Sequence, residues 1–479
     1  MAPPQESLGS AAPPAGAGRW SPRLWGLLFV LAGNMLIDAL EVSAMVVAVP
    51  VAGQALGLSL TGAQWLITGF AVGFGGLTLF GGRLVDLLGR RRVYLGALLG
   101  FAAASLAGGV TDEPAVLVAA RVLKGFFAAL TAPTGLAIIA SEFPAGRSRE
   151  RAVSVYALFG GSGFAAGLLV SGLLTEVSWR WTVAFPAPVV LVLFVCAVRL
   201  IPRGPAPAAP PPGEPRRFDT AGALALTSAL LCLVLGIVSV PDHGWSDART
   251  AGPLLLAAAL GTVLAVVERT GARPLIRGRL LRNRTLVRSM AGAAALNGVN
   301  LGLLLILTVR LQTGLGWSPL RTALALLPAS VPLAVTALLS RRLIARYGTA
   351  RLIALGALGP VLGAALCLRH PAPERYVTDV LPTLLLVGAG FVLSFAALNT
   401  QATSRLAAVD RPAAVGLYQS AVQLAAVVVP ALVAALAVGR TDDRPAFLLV
   451  TAVAVAGLAA GLGGLRTGPA RGATPSTEE

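Results

Sequence analysis

The sequence predicts an all-α integral membrane protein with fourteen transmembrane helices, arranged as two six-helix bundles with two extra helices between them. Three observations carry this. Hydrophobic residues make up 56% of the chain and charged residues only 12%, too apolar for a water-soluble domain. The apolar residues come in runs of about 20, the length at which a helix crosses the hydrocarbon core of a bilayer. Arginine is concentrated in alternate connections between these runs, the asymmetry that marks the cytoplasmic side.

The first six spans are expected at 24–50, 61–81, 92–110, 114–140, 152–174 and 180–200, an N-terminal bundle over 21–200. Pro202 to Pro215, followed by Arg216 and Arg217, forms a stiff cytoplasmic linker over 201–218. Two additional spans, 219–240 and 251–268, fill 219–268, and a basic cytoplasmic connector covers 269–287. Spans at 288–309, 319–339, 351–369, 377–399, 412–438 and 445–465 make a C-terminal bundle over 288–466. Residues 1–20 and 467–479 read as disordered cytoplasmic tails. The N-terminal tail lacks the charged-then-apolar pattern of a signal peptide. One faint repeat links the bundles: Gly82 to Arg92 and Ser340 to Arg351 are both basic, glycine-punctuated connections after a second span.

A net charge of +17 alone would suit nucleic-acid binding. The placement of the charge argues against that partner. Arg90 to Arg92, Arg147 with Arg149 and Arg151, Arg216 with Arg217, and the run from Arg269 to Arg288 all fall in the loops assigned to the inside. Anionic lipid of the inner leaflet is their expected partner. This orientation makes the chain a multi-pass protein of the cell membrane with both termini cytoplasmic. Cys196, Cys232 and Cys367 lie in apolar spans without metal-ligand spacing, and His243 and His370 lie in outer loops. No metal site and no cofactor are expected. No enzyme motif is found, and no phosphate-binding Gly-x-x-x-x-Gly-Lys-Ser/Thr run points to ATP as the driver.

Ionisable residues inside the spans are few: Asp38 and Glu41 in the first, Arg121 and Lys124 in the fourth. Lys124 is the only lysine of the chain. A charge at mid-membrane costs about 2.5–3.5 kcal/mol on insertion scales, so idle ones are rare. Asp38 and Glu41 are one turn apart on one helix face, and so are Arg121 and Lys124. The four read as a proton and substrate site. The plainer reading is a permanent set of ion pairs that only ties the two spans together, although desolvation makes such pairs poor stabilisers. Asn297 and Asn300 in span nine, and Gln419 and Gln423 in span thirteen, are candidate substrate contacts or interhelical hydrogen bonds. Trp65 is a candidate cavity-lining aromatic, with packing as its alternative. Arg310 is expected to snorkel outward.

Several motifs resemble those of the major facilitator superfamily. Gly82, Asp86, Gly89, Arg90 and Arg91 match its signature between spans two and three. In the first span, Glu41 stands nine residues before Pro50, as the acid does in proton-coupled drug exporters, and Asp38 is an additional acid. Arg121 and Gly125 match the Arg-x-x-Gln-Gly of the fourth span, with Lys124 in place of the glutamine. Span five keeps Gly163, Gly167 and Gly172 for close helix packing, but Leu168 occupies the proline position of the antiporter motif and Ser171 one glycine position. Trp179-Arg180-Trp181, Phe218-Asp219 and Gly244-Trp245 add to the likeness.

Together these resemble the fourteen-span drug:proton antiporter family. The resemblance implies a major-facilitator-type fold and a monomer. It also implies efflux of a small organic molecule, a drug or secondary metabolite, in exchange for protons as the coupling ion. A proton- or cation-coupled importer, and a non-transporting sensor or scaffold, are the alternatives. Under this reading Glu41 is the main proton carrier and Asp38 assists. Arg121 displaces the proton, and Lys124 biases the cavity toward neutral or anionic substrates. The loop from Gly82 to Arg91 is a conformational latch, or else only a topological signal.

Overall fold

Each predicted span falls on helix, because a backbone in hydrocarbon must satisfy its own hydrogen bonds. A computed structural model describes residues 20–144, 146–203, 220–270, 278–371, 374–404, 406–407, 410–437 and 443–465. No strand occurs among them. The predicted tails apart from Trp20, and most of the proline-rich linker, lie outside the described residues, as does 271–277 of the basic connector.

The helices of the first half are α1 (Pro22–Ala55), α2 (Trp65–Leu88), α3 (Arg90–Val110), α4 (Pro114–Glu142), α5 (Arg147–Val177) and α6 (Pro186–Leu200). Next come α7 (Thr220–His243) and α8 (Ala248–Thr270). The second half contains α9 (Arg284–Val309), α10 (Pro319–Tyr347), α11 (Thr349–Arg369), α12 (Leu381–Thr403), α13 (Arg411–Ala437) and α14 (Arg444–Leu465). Among the described residues, 11 helices are long and apolar enough to cross a membrane. The other predicted spans coincide with α2, α7 and α10.

Polar caps set the starts. Ser21 accepts from the Leu24 amide, with Pro22 in the first turn, and Asn283 accepts from the Thr285 and Leu286 amides. Such caps satisfy amides that the helix itself leaves orphaned.

The packing repeats. In the first half α1 lies on α5, α2 on α4, and α3 on α4 and α6. In the second, α9 lies on α13, α10 on α12, and α11 on α12 and α14. The halves join where α5 meets α10 and where α2 meets α13, and α7 packs on both α2 and α13. One constant offset in sequence relates the halves. It carries Gly57, Ser59 and Gly89 onto Gly316, Ser318 and Gly348. Gly57 and Gly316 have φ of 63° and 64°, and Gly89 and Gly348 have 80° and 75°. Ser59 and Ser318 each cap the following helix by accepting an amide three residues on. These left-handed turns need glycine, since a Cβ would clash. The faint echo in the sequence is therefore a structural repeat.

The apolar core divides unevenly. Trp20 near the start of α1 donates to Ser148 at the start of α5, and Arg288 in the first turns of α9 donates to the Gly463 carbonyl near the end of α14. These contacts mark one face, where the described residues begin and end. On that side the described residues form separate clusters: Leu27, Leu31, Tyr94 and Phe143 in the first half, and Leu286, Leu352, Phe391 and Tyr418 in the second. Toward the opposite, distal face one cluster spans both halves, with Met45 to Val49, Leu301 to Leu307, Leu326 and Val427. Gln312 donates to the Val47 carbonyl at 2.9 Å, and Glu176 accepts from the Leu320 amide at 3.0 Å. The halves are sealed together at the distal face.

Glycines let the backbones approach. A Cβ on Gly125 would stand 2.0 Å from the Phe70 carbonyl oxygen of α2, and one on Gly167 would stand 2.5 Å from the Leu40 carbonyl oxygen of α1. Gly163 faces Ala39 of α1, while Gly172 faces Leu320 and Ala323 of α10 across the joint between halves. Gly125→Leu should lower stability by about 1–3 kcal/mol through overpacking, read as an earlier thermal unfolding midpoint in detergent. An unchanged midpoint would show that α2 and α4 can separate freely.

Candidate functional site

The charged residues expected in spans one and four meet inside the first half. Glu41 sits in the middle of α1, and Arg121 and Lys124 lie a turn apart on the face of α4 that looks at it. All three are buried, with Lys124 at 0% exposure. Arg121 pairs with Glu41 Oε2, and its other nitrogens donate to the Glu41 carbonyl at 3.2 Å and the Leu66 carbonyl at 2.7 Å. Lys124 Nζ donates to Glu41 Oε1 at 2.5 Å and to the Val183 carbonyl at 3.2 Å. Phe70 lies beside Arg121 and Phe101 beside Lys124, each with its ring centroid 5.2 Å from the cation. Every cationic nitrogen of the cluster thus has an oxygen to donate to, which is what makes charges tolerable in so dry a place.

Asp38 behaves differently. It pairs with neither cation. Its Oδ2 accepts from Asn34 Nδ2 at 2.9 Å and from Thr131 Oγ1 at 2.7 Å, and its Oδ1 is buried without a hydrogen-bond partner. Asn34 is one turn before Asp38 on the same face of α1, a signal the sequence carried and the reading passed over. Thr131 had no distinguishing signal.

The remaining predicted residues scatter. Gly82 and Asp86 belong to the last turns of α2, but their side chains lie outside the described residues. Gly89 makes the turn into α3, Arg90 begins that helix, and Arg91 donates to the Val198 carbonyl at the end of α6 at 2.6 Å. Trp65 packs against the shared apolar cluster. Asn297 donates to the Val422 carbonyl at 3.3 Å. Asn300 and Gln423 are buried and Gln419 is half-buried, and among the described residues none of the three makes a side-chain hydrogen bond. The offset that relates the halves carries Asp38 and Glu41 onto Asn297 and Asn300. Where the first half places two acids, the second places two amides.

Two features escaped the sequence reading. Arg310 does not snorkel outward; it pairs with the buried Asp443 at the distal face, because Asp443 precedes the first turn of α14 beside it. Gln64, just before α2, is fully buried with both amide atoms unpartnered.

Among the described residues the arrangement has no cluster of metal ligands. It holds ionisable groups in a dry interior between helices. Residues 30–430 match the Major Facilitator Superfamily. The chain belongs to that family. It is a multi-pass membrane transporter rather than an enzyme. A puromycin resistance protein from Streptomyces alboniger is 36% identical over 425 residues, covering 88% of this chain and 82% of the relative. A cephamycin export protein from Amycolatopsis lactamdurans is 33% identical, over 79% of this chain and 77% of the relative. A crystallised peptide transporter shares the fold with a TM-score of 0.67 at 17% identity, covering 93% of this chain and 94% of its own.

Removing the carboxylate should expose how the cluster is balanced. Glu41→Gln leaves two buried cations without a counter-ion and should cost about 3–5 kcal/mol. Glu41→Gln with Lys124→Gln should recover much of that, measured by thermal unfolding of purified protein. A single variant as stable as the wild type would show that the cluster is hydrated.

Proposed function

We propose that this transporter exports a small organic molecule of the drug or secondary-metabolite class across the cytoplasmic membrane, in exchange for protons. The names of the two relatives support both direction and class: one confers puromycin resistance, the other exports cephamycin. The buried cluster of Asp38, Glu41, Arg121 and Lys124 is the observation that supports proton coupling. Ionisable groups are kept in a membrane interior at a cost, and in transporters that cost is met where ions move.

The mechanism is alternating access between two repeated bundles. The bundles are 21–200 and 288–466, with a linker at 201–218, an inserted pair at 219–268 and a connector at 269–287. The sealed distal face and the separate cores on the other side support an end state that opens on the side of Trp20 and Arg288, which is taken as cytoplasmic together with both termini. Asn297, Asn300, Gln419 and Gln423 offer hydrogen bonds from the second half. The first half holds the charges, so the substrate meets amides on one side and a titratable cluster on the other. Gly82, Asp86, Gly89, Arg90 and Arg91 form the latch on the cytoplasmic side, made and broken as the bundles rock. The arginine-rich loops face anionic lipid, and the protein works as a monomer with the proton as coupling ion and no cofactor.

Proton coupling is strong enough. One charge crossing about 100 mV releases about 2.3 kcal/mol. At about 1.4 kcal/mol per tenfold, that sustains roughly a fifty-fold gradient of a neutral substrate.

Inside-out vesicles, acidified inside, should accumulate compounds from a panel that includes puromycin. They should lose them when a protonophore collapses the gradient, and Asp86→Asn should slow the uptake without lowering the amount of folded protein. Accumulation that ignores the pH gradient, or movement only in the opposite direction, would contradict proton-driven export.

A further inference from the structure

We propose that Asp38, and not Glu41, is the carboxyl group that takes up and releases the proton, while Glu41 stays ionised as the fixed counter-ion of Arg121 and Lys124. The assignment rests on the coupling-site reading above and divides the labour within it.

The first ground is the set of partners. Both oxygens of Glu41 are engaged by cations, one by Arg121 and one by Lys124. A proton arriving at Glu41 must break a charge-assisted hydrogen bond and leave two cations facing each other in a dry interior. Asp38 is held only by neutral donors, Asn34 and Thr131, and both act on the same oxygen. Its other oxygen is buried with nothing donating to it. An unpartnered anionic oxygen in an apolar interior is costly, and a proton there removes the charge without breaking any hydrogen bond that Oδ2 accepts.

The second ground is charge balance. With Asp38 and Glu41 both ionised, the two acids offset Arg121 and Lys124. With Asp38 protonated, one net positive charge remains, still solvated by Glu41 and the Leu66 and Val183 carbonyls. Protonation of Glu41 instead would leave the same net charge but would take from both cations the carboxylate that holds them. The first proton therefore goes to Asp38, and its arrival changes the cluster from neutral to cationic.

The groups that face Asp38 are consistent with this. Glu41 approaches from its own helix, Tyr94 from α3 and Tyr156 from α5. Arg121 and Lys124 of α4 lie beyond Glu41 and are taken up by it. The Tyr156 hydroxyl donates to the Ala132 carbonyl at 2.9 Å, and the Tyr94 hydroxyl has no partner. Among the described residues no cation pairs with Asp38. In the second half the offset places Asn297 at the equivalent position, an amide that cannot carry a proton there.

The test is infrared titration of the purified full-length protein in lipid, following the high-frequency C=O stretch of a protonated carboxyl in apolar surroundings. The wild type should show this band rising and falling with pH. Asp38→Asn should lose essentially all of it, and Glu41→Gln combined with Lys124→Gln should keep it. Should Asp38→Asn fail to fold, Asp38→Glu decides: a band moved in frequency supports the assignment, and an unmoved band overturns it. A band that survives Asp38→Asn, or disappears in the Glu41→Gln/Lys124→Gln variant, also overturns it, as does a wild type without any such titrating band. The measurement needs no substrate. A titrating Asp38 in a protein without pH-driven transport would remove the antiport reading alone.

Discussion

One carboxylate clasped by two cations in a dry interior sets the terms for the first half of this molecule. Glu41, Arg121 and Lys124 are worth holding only if their geometry is tight, because taking charges out of water costs several kcal/mol per ion even after relaxation. The helices around them provide that tightness. Gly125 lets α4 ride on the backbone of α2, which brings the Leu66 carbonyl to Arg121. Gly163 and Gly167 let α5 press on α1 and fix the helix that carries Glu41. The short turn Trp179–Ala184 before α6 supplies the Val183 carbonyl to Lys124. The small residues of the sequence are thus part of the electrostatics.

The repeat makes the asymmetry of the molecule informative. Turns, caps and helix contacts correspond between halves, so the backbones meet similar demands. The ionisable residues do not correspond: acids at Asp38 and Glu41 become amides at Asn297 and Asn300. At these two positions a scaffold with two similar halves has charged one and left the other neutral. Closure at the distal face depends on contacts of another kind, an apolar cluster shared by both halves together with Gln312 on Val47 and Glu176 on Leu320.

The fold was largely legible because bilayer physics leaves few choices. Long apolar runs, arginine in alternate connections and the glycine turns located the helices and the faint echo between halves. Meeting of Glu41 with Arg121 and Lys124 was legible too, since buried charges seek partners and the depths agreed. The isolation of Asp38 was not. Periodicity puts Asp38 and Glu41 on one face, but which acid reaches the cations depends on a rotation of α1 that only packing against α5 decides. Thr131 was invisible because a threonine in a membrane helix ordinarily bonds its own backbone. The ion pair of Arg310 with Asp443 was hidden because its members belong to different helices at a loop end. Snorkelling was a reasonable expectation for the arginine alone.

The central claim is that the buried acids exchange a proton in step with substrate. It is tested most directly by adding a transported substrate to purified protein in weakly buffered solution and recording the pH. The account predicts a burst of released protons that disappears in the Asp38→Asn/Glu41→Gln double variant while substrate still binds. Unchanged proton release in that variant would contradict it and reduce Glu41, Arg121 and Lys124 to a structural ion-pair cluster.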